Sequence, residues 1–417
     1  MSIAIVGGGA SGMMAAIGAG EQISGENIVI IEKNSVVGRK VLATGNGRCN
    51  LTNVNCTSED YACGSVEKNE FVKKAMKAFG YERTVNKFHE IGLMTRLEEA
   101  GREYPYDGQA SSVTGALESR IRSMGIQVMT EAVISRIERI EDGFVLITED
   151  ERTFFADKVI LATGGKAGMQ YGSAGDGYGF AKGFGLKMVK PRPALVRMKV
   201  DCPNFSQAKG VRAKGRVMLA SDGKEIAYAE GEVQFAEKAL SGICIFDISR
   251  FYRRDMINPH VIIDLFPHFS YEELLEKLYD RMIFLKERRV NDFLDGMLHP
   301  KLKAFYLSRW IGDRRDFSVS TLSREDIECL PKILKAWELP VYGTAGWKES
   351  QVSGGGVDVS QVLPETMEIE GIKGLYVAGE LLDVDGPCGG WNLQWAWTSG
   401  YLAGRAAAKD GGGVSFG

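Results

Sequence analysis

Near its start the chain carries Gly7-Gly8-Gly9-Ala10-Ser11-Gly12, and Glu32 follows twenty residues after Gly12. Gly7, Gly9 and Gly12 are the glycines of a G-x-G-x-x-G turn. Gly7 permits the tight bend, Gly9 lets backbone N–H groups approach a pyrophosphate, and Gly12 lets helix and strand pack closely. Glu32 stands where an acid accepts hydrogen bonds from ribose hydroxyls and repels a 2′-phosphate. The chemistry is dinucleotide binding. The plain alternative is a glycine turn with a surface Glu, and the flanking elements decide between them.

Those elements are strand, turn, helix and strand. Ile3 to Val6 is a short apolar run, Met13 to Gly20 carries small helix-compatible residues, and Ile28 to Ile31 is a second apolar run ending in Glu32. The spacing of Val113, Leu117, Ile121 and Met124 predicts an amphipathic helix over 112–123, followed by a strand over 126–129. Val133 to Ile140, Phe144 to Thr148 and Arg152 to Phe155 predict a β-meander, and Lys158 to Ala162 a return to a buried strand. That strand runs into Thr163-Gly164-Gly165, a small-residue turn where open α/β sheets bind ligand. Gly374 to Glu380 reads as a strand ending in Gly379-Glu380, and Trp391 to Ala408 as a helix of small residues.

Between about 190 and 340 this pattern stops. Val211 to Leu219 and Glu225 to Ala229 flank a turn as a hairpin, and Val261 to Leu265 is a further strand. Ser270-Tyr271-Glu272-Glu273 is a capping box, which predicts a helix of about twenty residues from Ser270, with more helix to Trp310. The expected architecture is α/β: a Rossmann-like domain with a β-meander, split into 1–190 and 341–417 by an inserted region over 191–340. That insert is β-rich, with a helical unit at 251–324. Its Arg pairs at 253–254, 288–289 and 314–315 are phosphate candidates or solvated surface.

Composition narrows the class. The 417 residues are 44% hydrophobic and 25% charged with a formal charge of -3, a balance that offers nucleic-acid phosphates no general attraction. No apolar run reaches about 18 residues, so no membrane span is expected. Seven cysteines lack C-x-x-C spacing, which argues against a disulfide framework and a structural zinc, so no metal is expected. The opening Met1 to Val6 has no basic segment or long apolar stretch, and a cytoplasmic location is expected. The expected partner is a small-molecule substrate, with oligomeric state left open.

Three glycine clusters, at 7–12, 162–165 and 379–380, suggest FAD held extended across the whole domain. Gly172 to Gly185 follows no convincing strand, so a second domain for NAD(P)H is not expected. NAD(P)H remains possible as a transient reductant.

Gly38-Arg39-Lys40-Val41-Leu42-Ala43-Thr44-Gly45-Asn46-Gly47-Arg48-Cys49-Asn50-Leu51-Thr52-Asn53 resembles the GRK…SGxGRCNxTN signature of the BaiN-type, or aminoacetone oxidase, family of FAD-binding flavoproteins. The resemblance extends to Val352-Ser353-Gly354-Gly355-Gly356-Val357, to Leu363-Pro364-Glu365-Thr366-Met367-Glu368 and to the run from Gly379 to Gln394, and so covers nearly the whole chain. It implies a noncovalent FAD, a split nucleotide domain of the fumarate-reductase-like kind, and FAD contacts at Ser11, Glu32, Arg39, Lys40, Val133, Glu380, Asn392 and Leu393. Gly7, Gly9, Gly12, Gly47, Thr163, Gly164 and Gly379 complete the cofactor set. Where the family pattern has F-T-x-x-G-x-S-G-P, this chain has Phe235-Ala236-Glu237-Lys238-Ala239-Leu240-Ser241-Gly242-Ile243, and the substrate pocket is expected to differ accordingly.

For catalysis the residues offer weak candidates only. Cys49 and Cys388 sit in glycine-rich loops and are either near the flavin ring or packing thiols. Arg48 and Arg102 are better suited to polarise an anionic substrate group, because Arg holds its charge and forks onto oxygens; Arg48 equally suits a loop brace. His89, His260, His268 and His299 lie outside the signatures. The reading favoured is an FAD-dependent oxidoreductase, NAD(P)H-linked and acting as a reductase. A flavin-dependent amine oxidase and a non-catalytic flavin-binding regulatory or RNA-associated protein stay as alternatives.

Overall fold

The computed structural model describes residues 1–63, 67–203 and 205–409. The chain divides into two units: Met1–Ala194 with the chain from Trp347 onward, and Leu195–Gly346. The first division follows strand Met188–Ala194, which pairs antiparallel with Val352–Val357 and so stays with the nucleotide unit. Strand Trp337–Thr344 belongs to the second unit.

The first unit is built on a five-stranded parallel sheet in the order Leu375–Val377, Lys158–Leu161, Ile3–Val6, Ile28–Ile31, Gln127–Met129. The strands are apolar runs and not alternating ones because both faces are covered: every residue from Ile3 to Val6 is buried. Helix Ala10–Gly20 packs on helix Trp391–Ala407. Their backbones nearly touch. A Cβ added at Gly404 would lie 1.9 Å from the Ala15 carbonyl oxygen, and one at Gly400 2.3 Å from that of Ser11. The small residues of the last helix are thus what joins the two ends of the chain around one sheet. The meander is present as Ile134–Ile140, Gly143–Thr148 and Thr153–Ala156.

Three features escape the periodicity. Val352–Val357, legible only as glycine-rich, is a fully buried strand. Helices Glu67–Ala78 and Tyr81–Glu90 pack on helix Trp391–Ala407. Thr52–Asn53, Arg102–Pro105 and Thr95–Leu97 form a separate small antiparallel sheet.

The second unit is a closed six-stranded barrel that includes the long hairpin Arg212–Ser221 and Lys224–Phe235. Phe235, Phe305 and Tyr306 gather round Trp337, with Phe305 at 4.5 Å between ring centroids. The capping box at Ser270 forms as read, with Glu273 N–H on the Ser270 hydroxyl. The helix it starts, Tyr271–Phe284, is nevertheless only 14 residues long. Lys286-Glu287-Arg288-Arg289 breaks the apolar spacing there, and helix resumes at Pro300–Trp310, capped by His299. The departing segment at 235–243 makes strand Ala239–Ser241 and then enters helix Ile243–Ser249 through Gly242, whose φ is +104°.

Candidate functional site

A solvent-open cleft of about 1250 Å³ runs along the carboxyl ends of the parallel strands, wholly within the first unit. Its floor is the Gly7 to Ser11 turn. Gly7 takes a φ of +105° and donates its N–H to the Ile31 carbonyl (2.8 Å), so the first strand ends by bending over the second. Gly12 lies outside the lining. A Cβ there would fall 1.9 Å from the Gly7 oxygen, so its part is helix-to-strand packing. At Gly9 an added Cβ meets nothing within 4 Å, and the residue lines the cleft. Backbone is bare at the N-terminus of helix Ala10–Gly20, where the helix dipole favours an anion.

Glu32 is buried, and its carboxylate is engaged on both oxygens. Oε2 accepts the Gly8 N–H (2.7 Å), and Oε1 accepts the Asn34 N–H (2.8 Å) and side-chain amide (2.6 Å). A carboxylate has about four acceptor positions, so three are filled by the chain and one is left toward the cleft. Glu32 therefore shapes the turn and lines the cleft at once. Sequence reading missed the Gly8 and Asn34 partners, whose only signal was nearness to the motif.

Arg39 and Lys40 both line the cleft, but not as a free cationic pair. Lys40 Nζ lies 2.5 Å from Glu380 Oε2, while Arg39 donates to the Asn34 side-chain oxygen (3.2 Å). Glu380 Oε1 accepts the Ser353 N–H (2.9 Å), and the Ser353 hydroxyl accepts the N–H groups of Lys166 and Ala167. That network ties the buried strand Val352–Val357 to the wall.

Thr163, Gly164, Val133, Asn392 and Leu393 also line the cleft. Asn392 closes the loop before its helix, accepting the Gly386 N–H (2.9 Å) and donating to the Gly386 carbonyl (2.8 Å). Gly379 stays behind the wall with a φ of +73°, 2.5 Å between its Cβ position and the Ser11 hydroxyl. Gly47 does not line the cleft either. It belongs to a turn in which Gly45, Asn46, Gly47 and Cys49 all have positive φ. The wall formed by Tyr171, Gly172, Ser173 and Asp176 was missed; the glycine density from Gly164 to Gly179 was its signal.

The weak catalytic candidates part company. Cys49 is fully buried, and burial pushes its thiol up to about 12, which makes it a packing residue. Cys388 is half-buried with its sulfur 3.8 Å from the Gln351 side-chain oxygen; Gln351 lines the cleft. Among the described residues neither forms a disulfide. Arg48 pairs with Glu98 (2.5 Å) and stacks on Tyr104, 4.1 Å from its centroid, which holds it against the small sheet and outside the cleft lining. Arg102 lies beside Gly389, its Nε 3.8 Å from that residue's Cβ position. His89 bonds Thr95 and His260 the Asn258 carbonyl. Among the described residues no cluster of three or more His, Cys, Asp or Glu could hold a metal, and no helix is long and apolar enough to cross a membrane.

The lining fits an extended FAD: bare backbone at a helix N-terminus for the pyrophosphate, an acid with one open acceptor for ribose, and a wall contributed by both ends of the chain. Comparison with known proteins agrees. The model of the HI0933-like protein Rossmann domain matches residues 1–406. The chain is 38% identical over 412 residues to a 3-dehydro-bile acid delta(4,6)-reductase of Clostridium scindens, covering 98% of this chain and 99% of that protein. It is 28% identical over 413 residues to a ribosomal RNA dihydrouridine synthase of Haemophilus influenzae, covering 97% and 98%. Its fold is similar to that of a 3-ketosteroid-delta4-(5alpha)-dehydrogenase from Rhodococcus jostii RHA1, with TM-score 0.51 at 15% identity over 98% of this chain and 97% of the other. The chain belongs to the HI0933-like family of FAD-binding Rossmann-domain oxidoreductases.

Proposed function

We propose that this chain is an NAD(P)H-linked reductase that adds two hydrogens across a carbon–carbon double bond conjugated to a carbonyl in a small organic substrate. The observation that carries this reading is the likeness, over 98% of this chain and 99% of the relative, to a 3-dehydro-bile acid delta(4,6)-reductase. The dihydrouridine synthases are named for a product that differs from uridine by two hydrogens across a double bond conjugated to a carbonyl. One reaction type thus underlies both relatives' names.

Bound FAD supplies a two-electron carrier between the nicotinamide and the substrate. The chain does the rest by binding and orienting. The turn from Gly7 to Ser11 holds the anionic middle of the cofactor, Glu32 its ribose, and the Lys40–Glu380 pair fixes the wall. Helix Trp391–Ala407 begins at the cleft with no side-chain cap and no acid in its first turn, so its positive end favours negative charge developing on a substrate carbonyl oxygen. Each carboxylate lining the cleft already serves the chain: Glu32 takes three N–H groups, Glu380 pairs with Lys40, and Asp176 pairs with Lys33. None is placed as a base to deprotonate an amine, which favours reduction over amine oxidation.

The test is product analysis. Holoenzyme, NADH or NADPH and a 3-oxo-4-ene steroid acid, incubated anaerobically, should give a product two mass units heavier; an unchanged enone beside rapid oxidation of amines would reverse the assignment. The 28% relatives favour a second reading, in which the conjugated bond belongs to a uracil base; gain of two mass units by RNA uridine with no turnover of free enones would establish it.

A further inference from the structure

The small sheet of Thr52–Asn53, Arg102–Pro105 and Thr95–Leu97 has two unlike faces. Asn53 pairs with Arg102, Thr52 with Glu103, and Arg96 with Tyr104; side chains alternate along each strand. Thr52 and Glu103 point to the core, where Thr52 donates to Gln394 (2.5 Å) and Glu103 accepts from the Tyr81 hydroxyl (3.0 Å). The other face carries Arg96, Arg102 and Tyr104, and Arg48 lies over the Tyr104 ring.

Three guanidinium groups thus share one face with few counter-charges. Glu98 Oε1 serves two of them, at 2.5 Å from Arg48 Nη2 and 2.9 Å from Arg96 Nη2. Asp107, the other acid near Arg96, is engaged by the Gln109 N–H and the Ser112 hydroxyl. Among the described residues the Arg102 guanidinium has no hydrogen-bond or ion-pair partner. Gly108, with φ +68°, brings bare backbone against the first two, its Cβ position 3.5 Å from Arg48 Nε and 3.9 Å from Arg96 Nη2.

None of these arginines lines the cleft, but the chain links their face to its wall. The Asn53 side-chain amide donates to the Gly389 carbonyl (3.0 Å), and Arg102 lies beside the same residue. Gly389 belongs to the loop that leads into cleft-lining Asn392, and Arg48 follows cleft-lining Thr44 by four residues. We propose that Arg48, Arg96 and Arg102 form a subsite for a carboxylate on the substrate, so that the preferred substrates are conjugated carbonyl compounds bearing an acid group away from the reacting bond. Arg102 supplies the open fork, and the Glu98-bridged pair supplies the surrounding positive field. This rests on the reductase reading for what is done at the other end of the substrate.

The test separates the two claims by measuring binding without turnover. A 3-oxo-4,6-diene bile acid and its methyl ester are titrated into oxidised holoenzyme with no nicotinamide present, and the flavin's visible absorbance is followed. The acid should bind on the order of tenfold more tightly than the ester. Arg102→Gln should abolish that preference by weakening the acid alone, Arg102→Lys should restore part of it, and Arg96→Gln, at a more exposed site, should reduce it. Melting temperature and flavin content check that each variant is folded. Equal binding of acid and ester, equal weakening of both by Arg102→Gln, or no spectral response to either compound overturns the subsite. Displacement of the acid by a short oligouridylate more strongly than by acetate reassigns the arginines to nucleic-acid phosphate and also overturns it. Retained acid preference with no reduction on adding NADH or NADPH would instead refute the reductase reading and leave the subsite standing.

Discussion

Replacing Glu32 by Gln removes the charge from the one side chain that both shapes the glycine turn and faces the cleft. In the native chain Oε2 accepts the Gly8 N–H at 2.7 Å and Oε1 accepts the two Asn34 donors at 2.8 and 2.6 Å. An amide has a single oxygen. If that oxygen stays with Asn34, the new NH2 group confronts the Gly8 N–H, donor against donor; if it turns to Gly8, both Asn34 donors are stranded. Leaving one buried donor unsatisfied costs about 1 to 3 kcal/mol. Because the Gly8 amide is part of the turn that receives the cofactor's adenosine half, most of that cost should fall on holding FAD. FAD affinity should drop by roughly 5- to 150-fold, and melting temperature should fall with it. The assay is titration of apo-protein with FAD by quenching of flavin fluorescence, run in parallel with FMN. FMN lacks the adenosine half, so its weaker binding should change less than twofold. Unchanged FAD affinity, or equal losses for FAD and FMN, would refute the assignment of Glu32 to the adenosine side.

Further outcomes follow from the packing and the charges. Gly404→Ala puts a methyl group 1.9 Å from the Ala15 carbonyl oxygen and should destabilise the nucleotide unit by about 1 to 3 kcal/mol through overpacking, read as a lower urea midpoint with unchanged slope. Lys40→Met leaves the part-buried Glu380 carboxylate without its 2.5 Å partner and should lower stability by about 1 to 2 kcal/mol after solvent screening; Glu380→Gln in the same chain should recover part of the loss, and additive losses in the double-mutant cycle would argue against the pair. Burial pushes the thiols of Cys49, Cys56 and Cys244 from the ordinary 9.0 up to about 12. Below pH 9 both folded and unfolded thiols keep their protons; between pH 9 and about 12 only the unfolded ones ionise, so stability falls as pH rises through that window. Iodoacetamide at pH 8 should accordingly label the exposed Cys329 and spare Cys49 until urea is added, as peptide mapping would show.

The nucleotide half of the fold was legible because its signals are local. Gly7 to Gly12, the apolar runs at 3–6 and 28–31 and the meander each announce themselves within a dozen residues. The buried strand Val352–Val357 was not legible, since Gly354, Gly355 and Gly356 give no apolar pattern and the strand takes its ladder from the distant segment Met188–Ala194. The small sheet was missed for the same reason: Thr52–Asn53 has no strand character until Arg102 and Glu103 lie beside it. At the site, the sequence named Glu32 and Lys40 but not the bonds that occupy them, because Asn34 and Glu380 reach them through the fold. Glu380 is 340 residues from Lys40. The acid near the motif could be read as a candidate for ribose, but not as the partner of Gly8 and Asn34 that it is.

Anaerobic stopped-flow absorbance decides whether electrons enter from a nicotinamide and leave to a conjugated carbonyl compound. Oxidised holoenzyme is mixed in turn with NADH, NADPH and a panel of primary amines, and flavin bleaching is followed in the visible band. One nicotinamide should bleach the flavin well above the background rate, and a 3-oxo-4,6-diene acid added afterwards should restore the colour. Prompt bleaching by an amine, with neither nicotinamide reacting above background, would make the protein an amine oxidase and rule out the reductase.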